Sequence, residues 1–499
     1  MPSPTPTVLE LSSRPSPAGH LLVARRPAAP PPPAPRRAAW AVAAVRPVAA
    51  LVVLGVGVVL LPATLTGEAR AALFAFGLAI VLWSMTGLPA AWVALLAVLV
   101  LVALGGDDQD ALFDALASDV VWLMVGAFVL GGAITRTGLA GRLTGLVTRR
   151  ARTVGGVLWS VSLLLLPLSL LIPSTSGRAA VVLPVHRSLS RAAGDRSVTR
   201  ALSLLVPTVI LVTTVSTLVG AGSHLIANDL LEEFSGRRIS FAEWALYGVP
   251  FGLAAALVSC LVVSRVFLRP ATRALPLTVP AAPRTAWSVP ERRTGAVTLA
   301  MVALWVSESV HGVEVATVAV AGAVALTAPG IGVLSWKDGV KAVEWNLVVF
   351  VGAALVLGEA LIDSGAAGWI VERLFAASGI AEAGSELVVL VVLALLTLTS
   401  HVYMTSHAAR AAALVPALLY LGTSLDLDPV ALVFIGTVGM DYCLTFPVSS
   451  KALLLYAELD EDTFEPPDLL RLSAVLLPAH VVLVVVFYLL WWRPLGLAL

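Results

Sequence analysis

The chain has 499 residues, of which 58% are hydrophobic and 13% are charged, and its mean hydropathy of +0.93 lies far above the range of soluble domains. This composition excludes a soluble globular protein, and the formal net charge of +1 gives no reason to expect a nucleic-acid partner. The two cysteines, Cys260 and Cys443, stand in apolar segments, so neither a disulfide framework nor a thiolate metal cluster is expected.

Residues 1–39 predict a disordered tail, because they combine a Pro-rich run with five arginines and only one acid, Glu10. These arginines precede the first apolar span, so the positive-inside rule predicts a cytoplasmic N-terminus. The scarcity of lysine beside an excess of Ala, Arg and Pro is typical of a GC-rich bacterial genome. We therefore expect a multi-pass protein of the bacterial inner (plasma) membrane.

Apolar stretches follow the tail along the whole chain, and crossing a bilayer takes about 20 such residues. The charge-free stretches are 47–67, 71–106, 153–177, 201–228, 244–264, 315–336, 387–409 and 472–492. The sequence therefore predicts an all-α polytopic membrane protein whose principal partner is the lipid bilayer.

A helical hairpin that enters and leaves the membrane on the same side is predicted between two basic clusters. The clusters at 136–152 and 187–200 both favour the cytoplasm. About 34 apolar residues separate them, too few for two full spans, and the run Pro173–Gly177 interrupts them. The hairpin tip is predicted at Ser174, Thr175 and Ser176, near the middle of the membrane.

An internal repeat gives the hairpin a second copy. Residues 125–138 recur with one insertion at 351–365, and the segment Ser174–Pro184 recurs as Ser406–Pro416. Two inverted repeats, each with a broken apolar segment, indicate a transporter's central site. The predicted division is a tail at 1–39, a first repeat at 40–269, a linker at 270–293 and a second repeat at 294–499, with the second tip at 405–407.

Each repeat carries a further interruption, a broken helix at 220–224 in the first and at 445–451 in the second. Non-helical backbone at membrane depth is tolerated only where protein or a watery cavity covers it. Four breaks, two in each repeat, therefore predict one shared cavity.

The tips predict an anion site, because a helix that starts after a Ser/Thr cluster turns its free N–H groups and positive dipole end toward the cavity. Arg178 and Arg410 occupy the same place in the two repeats, where a substrate carboxylate or sulfate would pair with a guanidinium. The alternatives are a mere helix cap at each tip, and arginines paired with a backbone carbonyl, an acid such as Asp441, or water. The predicted substrate-binding residues are Ser174, Thr175, Ser176, Arg178, Thr405, Ser406, His407 and Arg410.

The broken helices supply candidates for a cation site or for coupling: Gly220, Gly222, His224, Ser449, Lys451 and Asp441. His224 and Lys451 stand at the ends of the two breaks and are interpreted as matching positions. A lysine there would act as a fixed cation, and a neutral histidine would relay a proton. The alternatives are Lys451 as a structural partner of Asp441 and His224 as a satisfied core residue.

No catalytic motif and no metal-ligand spacing occurs, so neither an enzyme nor a resident cofactor or metal is expected.

These features together resemble the divalent anion/sodium symporter family of di- and tricarboxylate and sulfate carriers. The landmarks are Trp83–Pro89, Val120–Phe128, the two tips, Leu218–Ile226 and Phe241–Trp244. The resemblance implies a homodimer with an elevator-like motion, and tips that read Ser-Asn-Thr and bind the anion together with sodium as coupling ion. Neither asparagine is present here, so anion exchange or proton coupling stands as an alternative to sodium symport.

The expected function is secondary active transport of a small divalent or polyvalent anion, a dicarboxylate, tricarboxylate or sulfate. A non-transporting membrane sensor that binds an anion is one alternative, and it predicts binding without flux. An ion carrier of the arsenite or sodium/proton type is another, and it predicts acidic rather than basic residues at the breaks.

Overall fold

The computed structural model describes residues 37–139, 141–142, 152–172, 174–277, 286–370, 373, 385–404, 406–459 and 463–499. The predicted tail lies outside these ranges except for residues 37–39. Within them the backbone forms helices and turns, and its one isolated β-bridge joins Thr153 and Pro276. The all-α class predicted from the composition is confirmed.

The first half of the described chain is mostly helical, with two short 3-10 turns. The helices are α1 (Arg37–Val59), α2 (Gly67–Met85), α3 (Ala90–Ala103), α4 (Ala111–Ala117), α5 (Asp119–Thr137), α6 (Val154–Leu171), α7 (Thr175–Ala193), α8 (Arg196–Val212), α9 (Gly222–Ser235), α10 (Phe241–Phe267) and α11 (Pro270–Ala274). The 3-10 turns are Thr214–Ser216 and Leu218–Gly220.

The second half continues as α-helices joined by short turns. They are α12 (Val289–Val306), α13 (Glu308–His311), α14 (Val315–Thr327), α15 (Trp336–Ala342), α16 (Trp345–Asp363), α17 (Glu386–Thr399), α18 (His407–Leu425), α19 (Pro429–Met440), α20 (Lys451–Ala457) and α21 (Pro466–Phe487). Short 3-10 turns follow at Ser400–Val402 and Pro447–Ser449, and a π-turn and a 3-10 turn follow α21 at Tyr488–Trp492 and Arg493–Leu495.

Seven helical segments of the described chain are long and apolar enough to cross a membrane. They are Gly67–Met85, Ala111–Thr137, Arg196–Ser216, Phe241–Phe267, Trp345–Asp363, His407–Leu425 and Pro466–Leu495. Several helices also expose large apolar side chains, as at Val53, Leu99 and Leu163. Such surfaces are stable in contact with lipid tails rather than water.

The described helices divide one of the apolar stretches and extend into the predicted linker. The apolar stretch 71–106 is two helices, because the side chain of Thr86 hydrogen-bonds the carbonyl of Leu82 at the end of α2 and Pro89 precedes α3. The predicted linker 270–293 contains α11 and ends inside α12. That helix begins early because Ser288 and Glu291 form a capping box at its N-terminus.

Helices from the two sequence halves pack against each other. Helix α5 of the first half lies against α14 of the second, and α3 lies against α16. At the first crossing a Cβ on Gly126 would lie 2.5 Å from the carbonyl carbon of Ala319, so glycine permits the close approach. The halves therefore form one body rather than two successive domains.

This crossing is testable by adding one methyl group. Gly126→Ala is expected to lower the thermal unfolding midpoint of the purified protein by several degrees, because the helices must separate at a cost of about 1–3 kcal/mol. Differential scanning fluorimetry in detergent measures the effect. Gly295→Ala in α12 is the matched control, since no atom lies within 4 Å of its added Cβ. Equal midpoints for the two variants would contradict the packing described.

Candidate functional site

The first hairpin tip lies between α6 and α7. Ser174 is the N-cap of α7, and its Oγ accepts a hydrogen bond of 3.2 Å from the backbone N–H of Gly177. Thr175 and Ser176 already belong to the first helical turn. The tip therefore presents a capped helix N-terminus, as the Ser/Thr cluster predicted.

The second tip repeats this local structure. Ser406 is the N-cap of α18, and its Oγ accepts a hydrogen bond of 3.3 Å from the N–H of Ala409. His407 is the first helical residue. Thr405, predicted to bind substrate, lies outside the described residues. Both hairpins thus end in a helix that starts on a serine cap.

The two broken helices also share a backbone pattern. After α8 and after α19, an extended residue, a 3-10 turn and a second extended residue precede the next helix. Thr217 (φ −148°, ψ 144°) and Ala221 (φ −150°, ψ 153°) flank the first turn. Phe446 (φ −128°, ψ 145°) and Ser450 (φ −153°, ψ 138°) flank the second. The matching spacing supports the internal repeat that the sequence predicted.

One cavity of about 440 Å³ is lined by both tips and both breaks. It brings together nine of the predicted site residues. They are Ser174, Thr175, Ser176, Gly220, Gly222, Ser406, His407, Ser449 and Lys451. The predicted shared chamber is therefore present in the structure.

The two arginines lie behind the cavity wall rather than in it, and both are fully buried. The Nη2 of Arg178 donates to Thr214 Oγ1 at 3.1 Å and to the Gly220 carbonyl at 3.3 Å. The Nη2 of Arg410 donates to Cys443 Sγ at 3.0 Å. Both arginines were predicted to contact the anion directly. In this structure each guanidinium instead bonds the broken helix of its own repeat.

His224 and Asp441 are also buried away from the cavity, and they contact each other. The Nε2 of His224 lies 2.7 Å from Asp441 Oδ2. This pair corrects the alternative in which Lys451 is the partner of Asp441. The backbone also corrects the matching of His224 with Lys451, because Lys451 begins α20 as Gly222 begins α9.

Two polar residues at the start of α16, Glu344 and Asn346, line the same cavity. They were not among the residues predicted from the sequence. The Oγ of Ser174 donates to Glu344 Oε1 at 2.7 Å. Asn346 supplies a side-chain amide to the same cavity. In the sequence, an acid and an amide directly before the apolar run of α16 could have indicated these two residues.

The charges around the cavity favour an anion. Lys451 lines it and is exposed, and the N-termini of α7, α9 and α18 end at it. The two buried arginines add positive charge behind the wall. Within the described part of the chain, no group of three or more His, Cys, Asp or Glu is arranged to hold a metal ion.

In this helical membrane protein, two hairpin tips and two broken helices line one cavity. This is the architecture of a secondary transporter. The chain belongs to the family described as the sodium:sulfate symporter transmembrane region, whose model matches residues 42–498. The resemblance predicted from the sequence is confirmed, and the protein is a membrane transporter rather than an enzyme.

Individual relatives and a solved structure are similar over different lengths. A Cupriavidus necator protein named "Membrane protein" is 28% identical over 391 residues, covering 75% of this chain and 74% of that one. The mouse Na(+)/dicarboxylate cotransporter 3 is 29% identical over 117 residues, 23% of this chain and 19% of that one. The crystal structure of the Alcanivorax borkumensis YdaH transporter has a TM-score of 0.53 and 15% identity, covering 77% of this chain and 87% of that one. The last likeness bears on the fold.

The first broken helix depends on Trp244, whose buried Nε1 donates to the Val215 carbonyl at 2.9 Å. Trp244→Phe is expected to lower the free energy of unfolding by about 1–3 kcal/mol, because this carbonyl is then buried without a donor. Chemical denaturation followed by circular dichroism measures the change. Trp491→Phe removes a similar bond, to the Leu246 carbonyl, at an exposed position. A loss in Trp491→Phe as large as that in Trp244→Phe would contradict this role.

Glu344 places a negative charge in an otherwise positive cavity. Glu344→Gln is expected to tighten binding of sulfate or succinate several-fold, since removing the repulsion is worth about 1 kcal/mol in a watery site. Isothermal titration calorimetry on the purified protein measures the Kd. Glu458→Gln, at an exposed position outside the cavity, is expected to leave the Kd unchanged. Weaker binding in Glu344→Gln would show that the carboxylate helps to hold the ligand.

Proposed function

We propose that this protein carries a small divalent anion, a dicarboxylate or sulfate, across the bacterial inner membrane by secondary active transport. The observation that carries the proposal is the single cavity lined by both hairpin tips and both broken helices. Capped helix N-termini bind anions without needing a dedicated cation, because their N–H groups and dipoles already point at the ligand.

The substrate class rests on charge and size. The family description names sulfate, and the mouse relative is named for dicarboxylates. Both are compact anions with two negative charges, and the positive charge of Lys451 together with the helix ends suits such a ligand. Ser174 and Ser406 are the expected hydrogen-bond donors at the two tips, and His407 and Ser449 complete the polar wall.

The transport cycle is proposed by analogy with the family. Two hairpins that meet at one cavity suit an elevator-like motion, in which the anion stays between the tips while this part of the protein moves relative to a fixed part. We extend the proposal to a homodimer whose N-terminus faces the cytoplasm. Uptake measured with and without a sodium gradient distinguishes sodium symport from proton symport and anion exchange.

The central test is uptake of labelled succinate, citrate and sulfate into proteoliposomes, with and without a sodium gradient. Transport of a divalent anion, saturable and competed by the other divalent anions, is the expected result. Anion binding without any flux would support the sensor alternative and contradict the proposal.

Lys451 gives the sharpest single substitution. Lys451→Met is expected to weaken anion uptake at least tenfold at low substrate concentration, because about 1.4 kcal/mol of attraction in the cavity is lost, and Lys451→Arg should restore part of it. The initial rate in proteoliposomes measures the effect. Lys337→Met is the matched control, since Lys337 is exposed on α15 and does not line the cavity. Full activity in Lys451→Met would show that this lysine contributes nothing to anion binding.

A further inference from the structure

The buried pair His224–Asp441 has a geometry that requires a shared proton. The Nδ1 of His224 lies 3.0 Å from the carbonyl oxygen of Thr217, which can only accept, so Nδ1 carries a hydrogen. The Nε2 lies 2.7 Å from Asp441 Oδ2, a hydrogen-bond distance that needs a second proton on either the ring or the carboxyl group. The pair therefore holds one proton more than a neutral histidine beside an ionised aspartate.

Among the described residues, this proton makes the one hydrogen bond that the carboxylate receives. His224 is fully buried and Asp441 nearly so. The ring of Trp244 packs against His224 with 4.9 Å between centroids, leaving no space for water on that face. Without the proton, lone pairs of Nε2 and Oδ2 would face each other inside the protein, and the buried carboxylate would lack a donor. Loss of the proton is therefore expected to separate the two groups.

His407 lies between this pair and the cavity. Its Nδ1 is 3.8 Å from Asp441 Oδ1, an oxygen that is buried without a hydrogen-bond partner among the described residues. Its Nε2 is 2.9 Å from Cys443 Sγ, and the ring lines the cavity. A small approach of His407 would close a hydrogen bond to Asp441. The imidazole thus offers a route for a proton between the cavity and the buried pair.

The other charged and titratable groups around the pair are fixed by their own contacts. Arg178 on α7 and Arg410 on α18 are buried cations, and both are held by the broken helices. His401, before the second tip, is bonded to the Leu398 carbonyl and to Thr445 Oγ1. Lys451 and Glu344 face the cavity.

The charge balance links this proton to the anion. With the proton present, the pair is neutral overall, and two buried arginines and Lys451 oppose the single charge of Glu344. The net charge of two positives matches a divalent anion, whereas without the proton only one positive charge remains. Anion binding and proton binding therefore favour each other. The proton raises the net positive charge around the cavity to two, and the divalent anion neutralises that charge.

We propose that His224–Asp441 is the binding site of a co-transported proton and that His407 is its port to the cavity. The inference rests on the proposed anion transport and names its coupling ion. The 2.7 Å contact also joins α9, which follows the first break, to Asp441, which precedes the second. The protonation state thereby controls whether the two broken helices are tied together.

The direct test uses the wild-type protein in sodium-free proteoliposomes that contain a pH-sensitive dye. Adding succinate or sulfate outside is expected to acidify the lumen, with protein-free liposomes as the blank. An inward proton gradient should concentrate the labelled anion, and its apparent affinity should fall by up to about tenfold per unit of rising pH. Uptake that needs sodium and moves no protons would overturn the proton site while leaving anion transport intact. If none of the divalent anions is transported or exchanged, the proposed function itself is wrong and this inference falls with it.

Variants then locate the proton. Asp441→Asn and His224→Gln are expected to lose proton-driven accumulation by about tenfold or more, because each variant removes one of the two groups that share the proton, while counterflow of labelled succinate is reduced much less. Asp363→Asn, at an exposed position at the end of α16, is the matched control. Thermal midpoints identify any variant that fails to fold, and for such a variant the wild-type acidification decides. Proton-driven accumulation unchanged in folded Asp441→Asn would overturn the assignment.

Discussion

The structure depends on satisfying the backbone hydrogen-bonding groups that are freed where its apolar helices are broken. Each interrupted helix exposes carbonyl and N–H groups that lipid cannot satisfy, so protein groups must bond them. In the first repeat Arg178 bonds the Gly220 carbonyl, Trp244 bonds that of Val215, and His224 bonds that of Thr217. Three buried side chains that do not line the cavity therefore bond the carbonyl groups of the first break.

In the structure, different residues contact the cavity and supply the buried positive charge. The sequence had predicted that the two arginines would do both. The polar groups that line the cavity are small hydroxyls, helix ends, Glu344, Asn346, His407 and Lys451, which are suited to a ligand that must bind and leave. Groups that carry much of the positive charge, Arg178 and Arg410, are fixed in the wall. The Nε and Nη1 atoms of both arginines lack hydrogen-bond partners among the described residues. Their charge is thus only partly compensated, and it adds to the potential that attracts an anion.

The features visible from sequence were those with a local chemical signature. Serine before a helix, Gly and Pro within apolar runs, and the repeated Arg and Pro positions were enough to place Ser174, Ser406 and both breaks on one cavity. The direction in which a side chain points has no such signature, so the sequence could not show that Arg178 turns to the broken helix. Glu344 and Asn346 reach the cavity through packing between the repeats. His224 and Asp441 meet through tertiary packing, which spacing along the chain does not encode.

The claim that a divalent anion binds between the two serine-capped tips is tested most directly by a structure with a strongly scattering anion. Selenate, a close analogue of sulfate, gives an anomalous signal in crystals of the full chain. One selenate is expected within hydrogen-bond distance of Ser174 or Ser406, inside the cavity that Lys451 lines. Selenate bound only on a face remote from both tips, with this cavity free of ligand density at saturating concentration, would contradict it.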